Sequence, residues 1–209
     1  MTWQDYLKSL DASGKPPKHK TFLSFHHEDE DYRKEFEEIF SDQKDDYVSM
    51  SVDDGDIDDS LPAETIRQKI RDEYIRDATI TIVLIGKDTW KRKHVDWEIG
   101  SSIRQTTKNP RNGLLGIILP SYRLSLDGIQ YSEMKSTAGG VPYNPKTIPP
   151  RLSKNIANGF AMIYSWPTSM DDVRRWIHEA FLRRTEILPD NSYPSFGKNR
   201  DANQTHWQD

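Results

Sequence analysis

The run Thr79-Ile80-Thr81-Ile82-Val83-Leu84-Ile85-Gly86 is β-branched or apolar at nearly every position. A strand with one wet face alternates apolar and polar residues, whereas a strand covered on both faces reads as a continuous apolar run. This segment therefore predicts a central parallel strand. Parallel neighbours require crossover connections, normally helices, and those helices must cover both faces of the sheet.

The flanking sequence supplies them. His19 to Phe25 reads as a first strand, followed by an acidic helix start at Glu28 to Asp31 and a stripe of Tyr32, Phe36, Ile39 and Phe40 at helical spacing. A weaker strand at Tyr47 to Val52 runs into an acidic loop, Asp53 to Ser60. Pro62 suits the first turn of the next helix, whose buried face is Ala63, Ile66, Ile70 and Tyr74. After the central strand come a helix around His94 to Thr107 and a buried strand, Gly113 to Leu119, stopped by Pro120. A last strand, Phe160 to Trp166, precedes a helix with a Ser169/Asp172 capping pattern and a stripe of Val173, Trp176, Ile177, Ala180 and Phe181. The order βαβαβαβ(loop)βα predicts a doubly wound α/β fold with five parallel strands ordered 2-1-3-4-5, flavodoxin-like, with helices on both faces. Ligands of such sheets bind beyond the carboxyl ends of the strands, here after Phe25, Val52 and Ile85.

Three segments stand outside this scheme. Residues 1–19 read as an extension, with Trp3, Tyr6, Leu7 and Leu10 on one helix face ahead of a Gly14-Lys15-Pro16-Pro17 breaker. Within the domain, residues 20–187, the stretch 121–158 is too long for an ordinary loop. It is either a lid or partner-binding insertion, or a surface excursion with a short helix near Leu152 to Ile156. Residues 188–209 read as a polar, Asn-rich and loosely ordered tail.

Composition narrows the function classes. At 209 residues, with 34% apolar and 30% charged, the chain has material for one core with polar extensions. A formal charge of −4 with scattered Lys and Arg gives no footprint for nucleic acid or an anionic membrane. The lack of cysteine rules out disulfides and thiolate chemistry. With no apolar run near the roughly 20 residues of a membrane span and no apolar core of a signal peptide, a cytoplasmic location is expected.

Phosphate loops, nucleophile elbows, HExxH and GxGxxG motifs do not occur. His26-His27 with Glu28, Asp29 and Asp31 has ligand chemistry, but adjacent histidines on a turn seldom address one ion, so no metal is expected. Asp53 to Asp59 resembles a calcium loop only in composition. More specific is the passage from Gly86 through Thr89-Trp90-Lys91-Arg92-Lys93-His94-Val95-Asp96-Trp97-Glu98-Ile99, which crosses a basic turn into a helix. With Val95, Ile99, Ser102 and Ile103 buried, Glu98 falls on the stripe boundary, half-shielded and close to the strand ends. A carboxylate there is either a helix-start charge matched to the dipole or a positioned functional group. On spacing alone the first reading leads.

Phe22-Leu23-Ser24-Phe25-His26, Val83-Leu84-Ile85-Gly86 and Val95-Asp96-Trp97-Glu98-Ile99 resemble the corresponding segments of bacterial Toll/interleukin-1-receptor-like (TIR-like) proteins. The resemblance is strongest to the TIR proteins of Thoeris antiphage defence and covers roughly residues 20–120. It implies a five-stranded TIR fold and cleavage of the nicotinamide–ribose bond of NAD+ as substrate, with no cofactor. It also implies a cyclic ADP-ribose-type messenger that activates an effector protein, and self-association of the chain. Glu98 matches the family's catalytic glutamate on the helix after the third strand. Phe25, His26 and Trp90, and less directly Arg33 and Asp53, are the expected substrate-facing residues. The alternative is a non-enzymatic TIR-like interaction module.

Overall fold

The computed structural model describes residues 3–40, 47–48, 56–58, 60–107 and 109–208. Its main sheet is parallel and holds β1 (Thr21–Ser24), β2 (Tyr47–Val48), β3 (Ile80–Ile85), β4 (Gly113–Ile118) and β7 (Met162–Ser165), in the order β2-β1-β3-β4-β7. The two intervening strands, β5 (Lys135–Ser136) and β6 (Pro142–Tyr143), form a separate antiparallel pair. Counted without that pair, the five parallel strands follow the 2-1-3-4-5 order.

The period-two geometry of a strand sorts the side chains between two layers. Leu23, Ile80, Ile82, Leu84, Leu115 and Ile117 face α2 (Glu30–Phe40) and α6 (Met170–Glu186), where Phe36, Phe40, Val173, Ile177 and Ala180 meet them. Val83, Ile85, Leu114 and Ile118 face the opposite layer, with Val95 and Ile99 of α4 (Lys93–Ser102) and Leu152 of α5 (Pro150–Ala157). Phe22 looks to the same side, into a cluster with Trp97 and with Ile66 and Ile70 of α3 (Ala63–Glu73). Ile39, expected in the α2 stripe, is half exposed, because Phe36 and Phe40 already fill that contact.

The outlying segments are held more firmly than the sequence suggested. α1 (Trp3–Lys8) docks on α6, with Ser9 Oγ 2.7 Å from Nε2 of His178, and Nδ1 of His178 2.9 Å from Nε2 of His19. The 121–158 stretch packs Tyr122, Tyr143, Ile148 and Leu152 into the α4/α5 layer, and contains α5 where a short helix was expected. Its turns are tied by Asn144, whose side-chain amide donates to the carbonyls of Ser125 and Asp127.

The expectation of a loosely ordered tail is overturned. Residues 190–207 run as a strap across the outer face of α4 and bury Tyr193, Phe196 and Trp207. Their polar backbone is paired: the amide of Phe196 donates to Asp96, its carbonyl accepts from the Trp97 indole at 2.8 Å, and the amide of Arg200 donates to the carbonyl of Lys91. Trp207 donates its indole N–H to Ile148, joining strap to insertion. Three scattered aromatic anchors and Asn-rich hydrogen bonding hold a segment with no apolar periodicity to announce it.

Candidate active site

Glu98 sits in the middle of α4, and the strand alternation that sends Phe22 toward this layer also sends Ser24 there. The two meet: Ser24 Oγ donates to Glu98 Oε2 at 2.6 Å. This bond lies in a dry setting, because both residues have 0% exposure. The half-shielded boundary position expected for Glu98 is therefore corrected. Every described side chain from Val95 to Ser102 is buried, since α3, α5, the sheet and the strap together surround the helix. No helix-wheel argument could foresee the cover supplied by residues about a hundred positions later.

The outer face of α4 is fixed by an ion pair. Arg151 of α5 donates through Nε to Oδ1 of Asp96 at 3.1 Å, with exposures of 0% and 1% for the two residues. Its remaining donors reach the strap: Nη1 to Asn191 Oδ1 at 2.5 Å and Nη2 to the Tyr193 carbonyl at 2.7 Å. Burial holds the Asp96 carboxyl above its ordinary range, although the Arg151 charge opposes the rise. The helix that carries Glu98 is thus clamped between Ser24 on its inner side and Arg151 on its outer side.

At the carboxyl edge of the sheet, His26 follows Ser24 by two residues, is 3% exposed, and has its pKa lowered to about 3. Burial is the main cause, followed by the positive charge of Arg92 just before α4. Phe25 points the other way, into the α2/α6 core, with the Arg33 guanidinium 5.7 Å from its ring centroid. Arg33 is itself held by Glu30 and Glu37, at 2.6 Å each. Trp90 is buried at 3% exposure beneath the Lys91 ammonium, 5.3 Å from the ring. Of the expected site residues, then, Ser24's neighbours Glu98 and His26 share one side of the sheet, while Phe25 and Arg33 form a separate stack on the other. Asp53 lies outside the described residues, as do Asp54, Gly55 and Asp59 of the same acidic loop.

A group missed from sequence is Asp29, read there as part of an ordinary acidic helix start. It is 5% exposed, its Oδ1 accepts from Ser121 Oγ at 2.7 Å, and burial pushes its carboxyl up. Its other oxygen lies against Gly86, so closely that a side chain at 86 would collide with it. Asp29 thereby links the exits of β1, β3 and β4. The signal available was Gly86 itself, a glycine ending a strand where a foreign group approaches the backbone.

These elements, from β1 to just past β4, coincide with a family match. Residues 22–123 match the family model described as the TIR-like domain of the Thoeris protein ThsB. Over that stretch the chain is similar to the TIR-like domain of the ThsB family. Among curated proteins none matches the chain. The ThsB-type segment includes Ser24, Glu98 and Asp96, but it stops at Arg123, before α5 and the strap that close over α4.

Proposed function

We propose that this ThsB-type domain cleaves the nicotinamide–ribose bond of NAD+, with Glu98 as the catalytic carboxylate. The observation that carries the reading is the placement of Glu98 in a ThsB-type fold: mid-α4, beside the end of β1, its Oε2 fixed by the Ser24 hydroxyl. Nicotinamide leaves as a neutral base, so the step needs no general acid, unlike glycoside hydrolysis by paired carboxylates. The bond breaks with its electron pair going to the nicotinamide nitrogen, and the ribose develops oxocarbenium character. A preorganised carboxylate favours that charge and hydrogen-bonds the ribose hydroxyls. Water at C1′ then yields ADP-ribose, whereas a tethered hydroxyl or an adenine nitrogen yields a cyclic product, the messenger that activates an effector.

Glu98 exposes no surface in this conformation. On this reading the ribose gains access only after the packing around Glu98 opens, so turnover depends on a trigger or on assembly. The same burial favours the second reading, a TIR-like interaction module in which Glu98 is a structural hydrogen-bond acceptor.

Incubating pure protein with NAD+ and following nicotinamide and ADP-ribose isomers by chromatography separates the two. Wild type and Glu98→Ala are compared, alone, with phage lysate and with a crowding agent. Nicotinamide release by wild type and its loss in Glu98→Ala supports the enzyme. Silence under every condition, with partner binding retained, supports the module, and full turnover by Glu98→Ala refutes the site.

A further inference from the structure

The turn leaving β1 gathers three donor groups, of which only His26 is also among the expected substrate-facing residues. His26 continues the strand in extended conformation, with φ −92° and ψ 136°, and the chain then tightens into a 3-10 turn over His27–Asp29. The tightening folds the next two side chains back toward the first, so the adjacent histidines do not diverge as they would along a strand. One ligand atom each from His26, His27 and Glu28 lie within 4.8 Å of one another. Nε2 of His26 and Oε2 of Glu28 are 3.6 Å apart, and the two imidazole rings meet edge to face with centroids 4.2 Å apart.

A second observation points to a ligand there. His26 is 3% exposed, and its Nε2 is shut off from solvent with no hydrogen-bond partner. The large majority of buried polar atoms are paired, so this nitrogen calls for something to meet it. His27 and Glu28 are exposed, which leaves a path for an ion from solvent.

We propose that His26, His27 and Glu28 form a divalent-metal site of the zinc class, with two imidazole nitrogens and one carboxylate oxygen as ligands and water completing the shell. Zinc bonds of about 2.0–2.2 Å in a tetrahedron set ligand atoms roughly 3.3–3.6 Å apart. The His26–Glu28 spacing of 3.6 Å meets that already, and rotation of the exposed His27 and Glu28 side chains closes the rest. Two imidazoles with one carboxylate suit zinc, cobalt, nickel or copper, whereas magnesium and calcium prefer all-oxygen shells. The surrounding charge is mixed, since Asp88 favours a cation near His26 and Arg92 opposes it. Affinity is accordingly expected in the micromolar range. Neither Glu98 nor NAD+ enters this argument, so the site stands or falls apart from the proposed reaction.

The test uses the full chain without an affinity tag, stripped of metal by a chelator that is then removed. Zn2+ is titrated by calorimetry, and Co2+ by visible absorption, whose d–d bands report tetrahedral coordination. One saturable site per chain is expected, with His27→Ala and Glu28→Ala each weakening it by at least about tenfold. His206→Ala, a change in the strap, is expected to leave it unaltered. Should His26→Ala fail to fold, the two variants at exposed positions still decide the matter. Absence of saturable binding below about 0.1 mM, unchanged affinity in both exposed variants, or loss of binding in His206→Ala overturns the proposal.

Discussion

Arg151→Ala tests whether the strap and α5 hold α4 as the structure indicates. The substitution removes the buried partner of Asp96 and, with it, the donors to Asn191 and Tyr193. Asp96 keeps the Phe196 amide as a donor but loses its charge partner at 1% exposure. Breaking a buried ion pair by deleting one member costs about 3–5 kcal/mol, an upper range that protonation of the stranded carboxyl moderates. For a domain of this size each kcal/mol lowers Tm by about 2–4 °C, so the expected fall is roughly 6–20 °C. Urea unfolding at pH 7.5 gives the free energy directly. Limited proteolysis adds a local readout, because a released strap should be cut between 189 and 207 before the core is touched. The control is the Asp96→Leu/Arg151→Met pair, expected to lose less than either single change because no lone charge remains buried. A loss below about 1 kcal/mol for Arg151→Ala, with an unchanged cleavage pattern, would show that the clamp contributes nothing and refute the reasoning.

Further outcomes follow from the same geometry. Ser24→Ala removes a donor from the buried Glu98 and is expected to cost about 1–3 kcal/mol by urea unfolding; an unchanged midpoint would mean the carboxylate finds equal compensation. Gly86→Ala forces a methyl group against the Asp29 carboxylate and is expected to destabilise by about 1–3 kcal/mol, with partial rescue by Asp29→Ser; equal midpoints for wild type and Gly86→Ala would contradict that close approach. His19 and His26 have pKa values lowered to about 4 and about 3, chiefly by burial. The unfolded chain binds more protons than the native one below the ordinary histidine pKa near 6.5. Stability is therefore full above that pH and falls as pH drops toward 4 and 3. His19→Gln should flatten the fall in Tm between pH 7.5 and 5, and an identical slope in wild type and variant would rule out His19 as a source.

The strands were legible because burial on both faces leaves a continuous apolar run that no helix stripe imitates, as at Ile80–Ile85 and Gly113–Ile118. The Ser169 cap of α6 was legible for a local reason, its hydroxyl accepting the Asp172 amide three residues on. Helix α4 ended at Ser102, short of the expected Thr107, because the amide of Asn112 takes the Ser102 carbonyl as the chain turns into β4. Glu98 was singled out by its flanking residues and its order after the third strand, and the ThsB family match covers the same segment.

Its surroundings were another matter. Which side of the sheet Phe25 and His26 occupy follows once the register of β1 is known, but which groups then meet them depends on distant chain. Asp29 looked like any acid at a helix start until Gly86 and Ser121, from two other strand ends, closed around it. The strap shows the limit most plainly. Local pattern reports periodic burial, and residues 190–207 have none; they are held by single anchors such as Tyr193, Phe196 and Trp207. The sequence by itself determined the strands and the helix bearing Glu98, because those rest on short-range periodicity. The tertiary structure alone decided that Glu98 is buried, since the residues that surround α4 come from both ends of the domain.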